Sequence, residues 1–163
     1  MKMKKPRGVL LYEDNRRTRD LERLAAQGDE DAAHRLAAHR LRMGKLPFLD
    51  FMRSWEAHGR QGWDPIGFGS SDLVISIQAG DMNYSEPRVN GLLATEYSRW
   101  EVAIFDSKHI IEILGDARFD AMPHRRRWQN DISVAGYLDV AEVQSIFKWM
   151  VLTFGRPRTV SST

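Results

Sequence analysis

The chain has 163 residues, 42% of them apolar and 28% charged, with a net charge of +2 and no cysteine. That length makes one domain, with or without a small appendage, and can bury a core without staples. The missing thiols exclude disulfides, thiolate metal sites and cysteine nucleophiles.

The charge is unevenly spread: residues 1–45 carry 12 Lys+Arg and 7 Asp+Glu, the remainder 12 and 15. A basic front and a mildly acidic back allow contact with nucleic acid or with an acidic protein face. No apolar run approaches the roughly 20 residues of a membrane helix. Lys2, Lys4, Lys5 and Arg7 lack the apolar segment that a secretory signal places behind its charges. The expectation is a cytoplasmic protein with no membrane partner.

Met1–Gly8 reads as a basic lead-in, and Val9–Tyr12 as an edge strand or a segment packed on the next helix. Asp14 or Asn15 caps a helix over about Arg16–Gln27, with Leu21, Leu24 and Ala25 as its buried stripe. Gly28 closes it, and Asp29 caps a second helix, about Glu30–Met43, that ends at Gly44. Ala33, Leu36, Ala37 and Leu41 form the apolar face of this second helix. The hairpin carries Arg16, Arg17, Arg19, Arg23, Arg35, Arg40 and Arg42, which read either as a basic binding face or as a solvated one. Pro47 opens a third predicted helix, Pro47–His58, with Phe48, Leu49, Phe51, Met52 and Trp55 on its apolar face. Gly59–Ser71, punctuated by glycines and Pro65, reads as a loop, in which Trp63 and Phe68 need something to pack on.

Leu73–Gln78 is the clearest strand: Leu73, Ile75 and Ile77 point to a buried face, Ser76 and Gln78 to the other. Ala79-Gly80-Asp81 stops it, and Tyr84-Ser85-Glu86-Pro87-Arg88 makes a stiff corner. The corner presents Tyr84, Glu86 and Arg88. Arg88 suits bidentate capture of a phosphate or carboxylate; the structural alternative has Tyr84 packed down and Arg88 paired with a nearby acid to pin the corner. Val89–Glu96 is a loop, and Ser98–Phe105 a second strand, suited to antiparallel pairing with the first. His109–Leu114 stays open between helix and strand, its three isoleucines leaning to strand. Arg125, Arg126 and Arg127 beside Trp128 match the way a phosphate chain with a stacked base is held, and also the way a hairpin tip stays soluble; Asp120 and Asp131 flank the run. Ile132–Leu138 is a third strand. Asp139 with Glu142 makes a capping box for a last helix, with Val143, Ile146, Phe147, Met150 and Val151 buried. Gly155 and Pro157 end it, and Arg156–Thr163 reads as a polar tail.

The regions read as a helical front (1–58), a Gly-rich loop (59–71), a mixed sheet with a C-terminal helix (72–155) and a tail (156–163). The fold class is α+β: N-terminal helices packed on a small, mainly antiparallel sheet that also carries the C-terminal helix. No catalytic motif, metal-ligand spacing or cofactor fingerprint occurs: there is no HExxH, Gly-x-Ser-x-Gly, phosphate loop or dinucleotide fingerprint. Tyr84, Glu86, Arg88 and His109 are the most enzyme-like side chains.

The runs ISIQAGDMNYSEPR, YSRWEVAIFDS and ISVAGYLDVAEVQSIFKWM resemble a class of small phage-encoded accessory proteins. In that class a strand ends in a Tyr-x-x-Pro-Arg corner, a Val-Glu-Val-type strand follows, and the chain closes on a Gly-Tyr strand and a helix. The likeness covers about residues 73–150, with Ser85 standing where the pattern has cysteine. It implies a non-catalytic anti-defence, anti-CRISPR-like factor that binds and inhibits a host protein. Such an inhibitor can mimic phosphates with loop acids, here Asp64, Asp72, Asp81, Glu86 and Glu96. The alternatives are a nucleic-acid-binding protein using Arg125–Arg127 and the basic hairpin, or a small enzyme or nucleotide-binding protein at the Tyr84–Arg88 corner.

Overall fold

A computed structural model describes residues 18–42 and 47–160. The chain divides into two units, Met1–Leu46 and Pro47–Thr163. In the first, helix α1 (residues 18–26) and helix α2 (Glu30–Arg42) form the expected hairpin about Gly28. Leu21, Ala32 and Leu36 are its buried centre, and Leu24 and Ala25 pack against them. Asp29 caps α2 by accepting from the Ala32 amide at 2.9 Å. The expected cap at Asp14 or Asn15, the run Val9–Tyr12, Arg16, Arg17 and Gly44 lie outside the described residues, as do the side chains of Arg40, Leu41 and Arg42.

The second unit is an antiparallel sheet with one long helix. Its strands are β1 (Ser54–Ala57), β2 (Arg60–Trp63), β3 (Ile66–Phe68), β4 (Leu73–Gln78), β5 (Arg99–Asp106), β6 (His109–Ile110), β7 (Ala135–Asp139) and β8 (Pro157–Thr159). β1 and β2 form a separate hairpin, and the larger sheet runs β6-β5-β4-β3-β8 with β7 also on β5. The expected pairing of the two clear strands is present, from Leu73 opposite Asp106 to Gln78 opposite Glu101. Leu73, Ile75 and Ile77 are buried, as their alternation requires. Helix α3 (Val140–Phe154) lies against β3, β5 and β7. All five residues of its expected stripe are buried, and the Asp139–Glu142 capping box is formed. Gly155 ends the helix at φ 121°, a conformation open to glycine and costly for other residues.

Three expectations are corrected. Pro47–His58 is not a helix: Phe48–Phe51 is one 3-10 turn, and β1 follows. The aromatic residues of this stretch have no strong helical preference, and tertiary contacts decide. The Phe48 ring meets Trp100 edge-on at 6.1 Å, Phe51 lies 5.6 Å from Phe147, and Trp55 covers Gly62 on the facing strand. The stretch therefore belongs to the sheet unit, and the division falls before Pro47 rather than at 59–71. Gly59–Ser71 is not a loop either, since it contains β2 and β3. Its glycines look like turn signals but mark close approaches, with the indole of Trp55 over Gly62 and the guanidinium of Arg158 over Gly67. Trp63 and Phe68 find their partners in the core. Finally, the expected polar tail contains an edge strand, β8, which pairs with β3; its Pro157 and Arg158 suit an edge. The open segment His109–Leu114 resolves into the short strand β6 and a 3-10 turn beginning at Ile113.

Candidate functional site

The Tyr84–Arg88 corner is pinned from inside. Ser85 is buried, and its hydroxyl accepts from the Gly80 amide at 3.0 Å and donates to the Gly80 carbonyl at 3.1 Å. The Glu101 carboxylate on β5 takes the Asn83 side-chain amide at 3.1 Å and the Tyr84 main-chain amide at 3.0 Å. These bonds fix the loop and leave the Tyr84 ring about half exposed. Arg88 lies over that ring, 5.9 Å from its centre, and donates to the Asp81 carbonyl at 3.3 Å. Glu86 pairs with Arg99 at 3.2 Å, both largely exposed. The corner is thus held by Ser85 and Glu101, while Arg88 meets a main-chain carbonyl rather than the acid of an ion pair.

The arginine run divides by role. Arg125 is taken up by Asp120 at 2.9 Å, and Trp128 is wholly buried in the core. Trp128 is therefore unable to stack a ligand, because its ring is a packing element of the 3-10 turn Arg125–Trp128. Arg127 donates to the Tyr137 carbonyl at 3.0 Å and lies 3.6 Å from Glu142. Arg126 is exposed and has no side-chain partner among the described residues.

The sequence gives no hint that these two segments meet. Tyr84, Arg126, Arg127, Asp131, Gly136 and Tyr137 line one open cavity of about 360 Å³. Strand β7 brings them together. Across from β5, Trp100 pairs with Leu138 and Val102 with Ala135, so Gly136 and Tyr137 bulge opposite Glu101. A bulge of this kind re-aims a side chain, and here it places Tyr137 at φ 56°. The Tyr137 amide donates to the Tyr84 carbonyl at 2.8 Å. The two tyrosine rings lie 5.9 Å apart at 47° and are both partly exposed. At that distance they touch each other, so a flat ligand stacks on the outside of the pair rather than between the rings.

The remaining candidates are dispersed. Asp72 and Asp81 flank opposite ends of β4, Asp64 follows β2, and Glu96 serves as a local cap, accepting from the Leu93 amide at 2.6 Å. Asp81 and Glu96 both act on the buried Tyr97 hydroxyl, whose pKa burial first and these two charges after it push upward. His109 is opposite Asp106 at the far end of eight-residue β5 from Arg99, where Glu86 sits. That separation is about 23 Å at the strand rise, so His109 joins no site with the Tyr84 corner. Near His109, Arg118 bridges Asp116 at 2.7 Å and Asp106 at 2.9 Å. The hydrogen bond from Arg118 holds the Asp116 carboxyl below the usual carboxylate range. Among the described residues no group of His, Asp and Glu is arranged to hold a metal ion, and no helix is long and apolar enough to cross a membrane. None of the family models, characterised proteins or solved structures compared with the chain matches it.

Proposed function

We propose that the protein binds one nucleotide unit, a base with its phosphate, in the cleft between Tyr84 and Arg127. The observation that carries this reading is the convergence of two partly exposed tyrosine rings and two arginines on one cavity of about 360 Å³. That size lies within the range of small-ligand sites. With Arg88 over Tyr84, a base stacks on the outer face of Tyr137, and Arg126, unengaged by described side chains, takes the phosphate bidentately. The unit belongs either to a single strand or to a free nucleotide. Thermal unfolding in the presence of a nucleoside monophosphate, and separately of a short single strand, tells the sources apart. Ligand at a hundred times its Kd stabilises by about 2.7 kcal/mol. A shift with the strand alone assigns nucleic acid, a shift with both assigns the free nucleotide, and no shift with either overturns the proposal.

A second reading has a separate observation behind it. Met82, Val89 and Leu93 are 69%, 45% and 72% exposed on the loop between β4 and β5. Apolar side chains held out in this way suit a protein partner. With the resemblance to phage accessory proteins, this supports a cytoplasmic inhibitor of a bacterial host defence protein. The test is a tagged pull-down from nuclease-treated lysate. The inhibitor reading expects a stoichiometric partner that the double variant Met82→Asp, Leu93→Asp loses and Arg126→Ala keeps. Retention by the double variant would sink it.

A further inference from the structure

Resting on the nucleotide reading of the cleft, we infer that Asp131 is its base-reading residue and selects bases with an exocyclic amine, guanine above all. Asp131 is exposed and lines the same cavity as Tyr137 and Arg126. Its Oδ1 accepts from the Ser133 amide at 2.9 Å, which sets the orientation of the carboxylate. The lone pairs of Oδ2, and one on Oδ1, remain for a ligand. An ionised carboxylate only accepts. Guanine presents two adjacent donors, its ring N–H and its amino group, which match the two oxygens in parallel. Cytosine and adenine each offer one amino donor. Uracil and thymine place carbonyl oxygens on both sides of their single N–H, and these repel the carboxylate. With Arg126 and Arg127 in the same cavity, the site joins cations for a phosphate to one anion for a base edge. A site for a bare phosphate or a second acid has no use for that anion.

The experiment is a fluorescence anisotropy titration of the full chain with two labelled strands: a short oligothymidylate, and the same strand with one central guanosine. The guanosine strand binds tighter by about ten-fold, the scale of one good base-edge pair. Asp131→Asn keeps an acceptor for the Ser133 amide, so the loop retains its shape, but it replaces one free acceptor by a donor. In this variant the preference collapses to roughly two-fold or less. Equal binding of both strands by the unaltered protein, or a full guanosine preference in Asp131→Asn, overturns the assignment of Asp131 while leaving the cleft as the binding site. Should neither strand bind, the same comparison is read with guanosine and thymidine monophosphates, and equal binding of those two overturns the assignment.

Discussion

The guanidinium of Arg127 donates to the main-chain carbonyl of Tyr137 across 3.0 Å. From the other side, the Tyr137 amide reaches the Tyr84 carbonyl at 2.8 Å. The peptide groups of a residue with φ 56° are therefore held at both ends, which is how a left-handed tyrosine persists in a strand. The same arginine lies 3.6 Å from Glu142, whose other oxygen accepts from the Asp139 amide in the cap of α3. One side chain thus ties the cleft to the start of the helix that covers the sheet.

Two neighbouring arginines should accordingly behave differently on truncation. Arg127→Ala removes bonds to the Tyr137 carbonyl and Glu142, and we expect a stability loss of about 1–2 kcal/mol. Arg126→Ala removes no described side-chain partner and should stay within about 0.5 kcal/mol of the unaltered protein. Urea unfolding of the two variants reads the contrast. Equal losses would mean that Arg127 does not hold the bulge.

At Tyr137 the backbone and the ring can be separated. Tyr137→Gly removes the ring and relieves the left-handed backbone; Tyr137→Ala removes the ring alone. The glycine variant should be the more stable of the two by about 1 kcal/mol. Both should lose ligand affinity alike, by about 1–3 kcal/mol, the worth of one stacked base. A more stable alanine variant in chemical denaturation would contradict the bulge geometry.

Gly136→Ala tests the approach of the two tyrosine-bearing segments. A Cβ at this position would lie 2.6 Å from the Cβ of Tyr84, next to the backbone, where no flexible side-chain end can yield. Overpacking of this kind costs about 1–3 kcal/mol. The variant should lower Tm and weaken ligand binding together; an unchanged Tm would mean that the corner and β7 are not in contact.

The acid side of the stability profile has one named contributor. Asp116 carries a carboxyl depressed by its hydrogen bond from Arg118, so its contribution is present above the unfolded carboxylate value of about 3.9. It is lost as the pH falls through the lower folded value. Asp116→Asn should therefore be less stable than the unaltered protein near neutral pH by about 0.2–1 kcal/mol, and the gap should close on acidification through that window. A gap that stays constant through the window would assign the stabilisation to something other than the charge.

The central strands and the C-terminal helix were legible because their signals are local. The alternation in Leu73–Gln78, the heptad-like stripe of α3 and the Asp139–Glu142 box each act within a few residues. The segment Pro47–Ser71 was not legible, because its aromatics and glycines are defined by residues far away in sequence, such as Trp100, Phe147 and Arg158. The cleft divides in the same way. Tyr84, Arg126 and Arg127 stood out as residue types, but their meeting depends on the bulge at Gly136–Tyr137, a register irregularity that no spacing announces. Asp131 stood out only as a charge beside the arginine run, and Tyr137 only as part of a Gly-Tyr strand. Trp128 has the residue type for stacking beside the arginines, but its ring belongs to the core.

The most direct test of the cleft is an anisotropy titration of a labelled single strand over a range of salt, with the unaltered protein and Arg126→Ala side by side. Saturable binding that weakens with salt is expected and, in the variant, weaker binding at low salt with a log–log salt slope smaller by about 0.7, the loss of one phosphate contact on a single strand. Unfolding midpoints of the two proteins should agree. Absence of saturable binding at low salt for both the strand and a nucleoside monophosphate, or identical affinity and slope in Arg126→Ala, would contradict binding in the cleft.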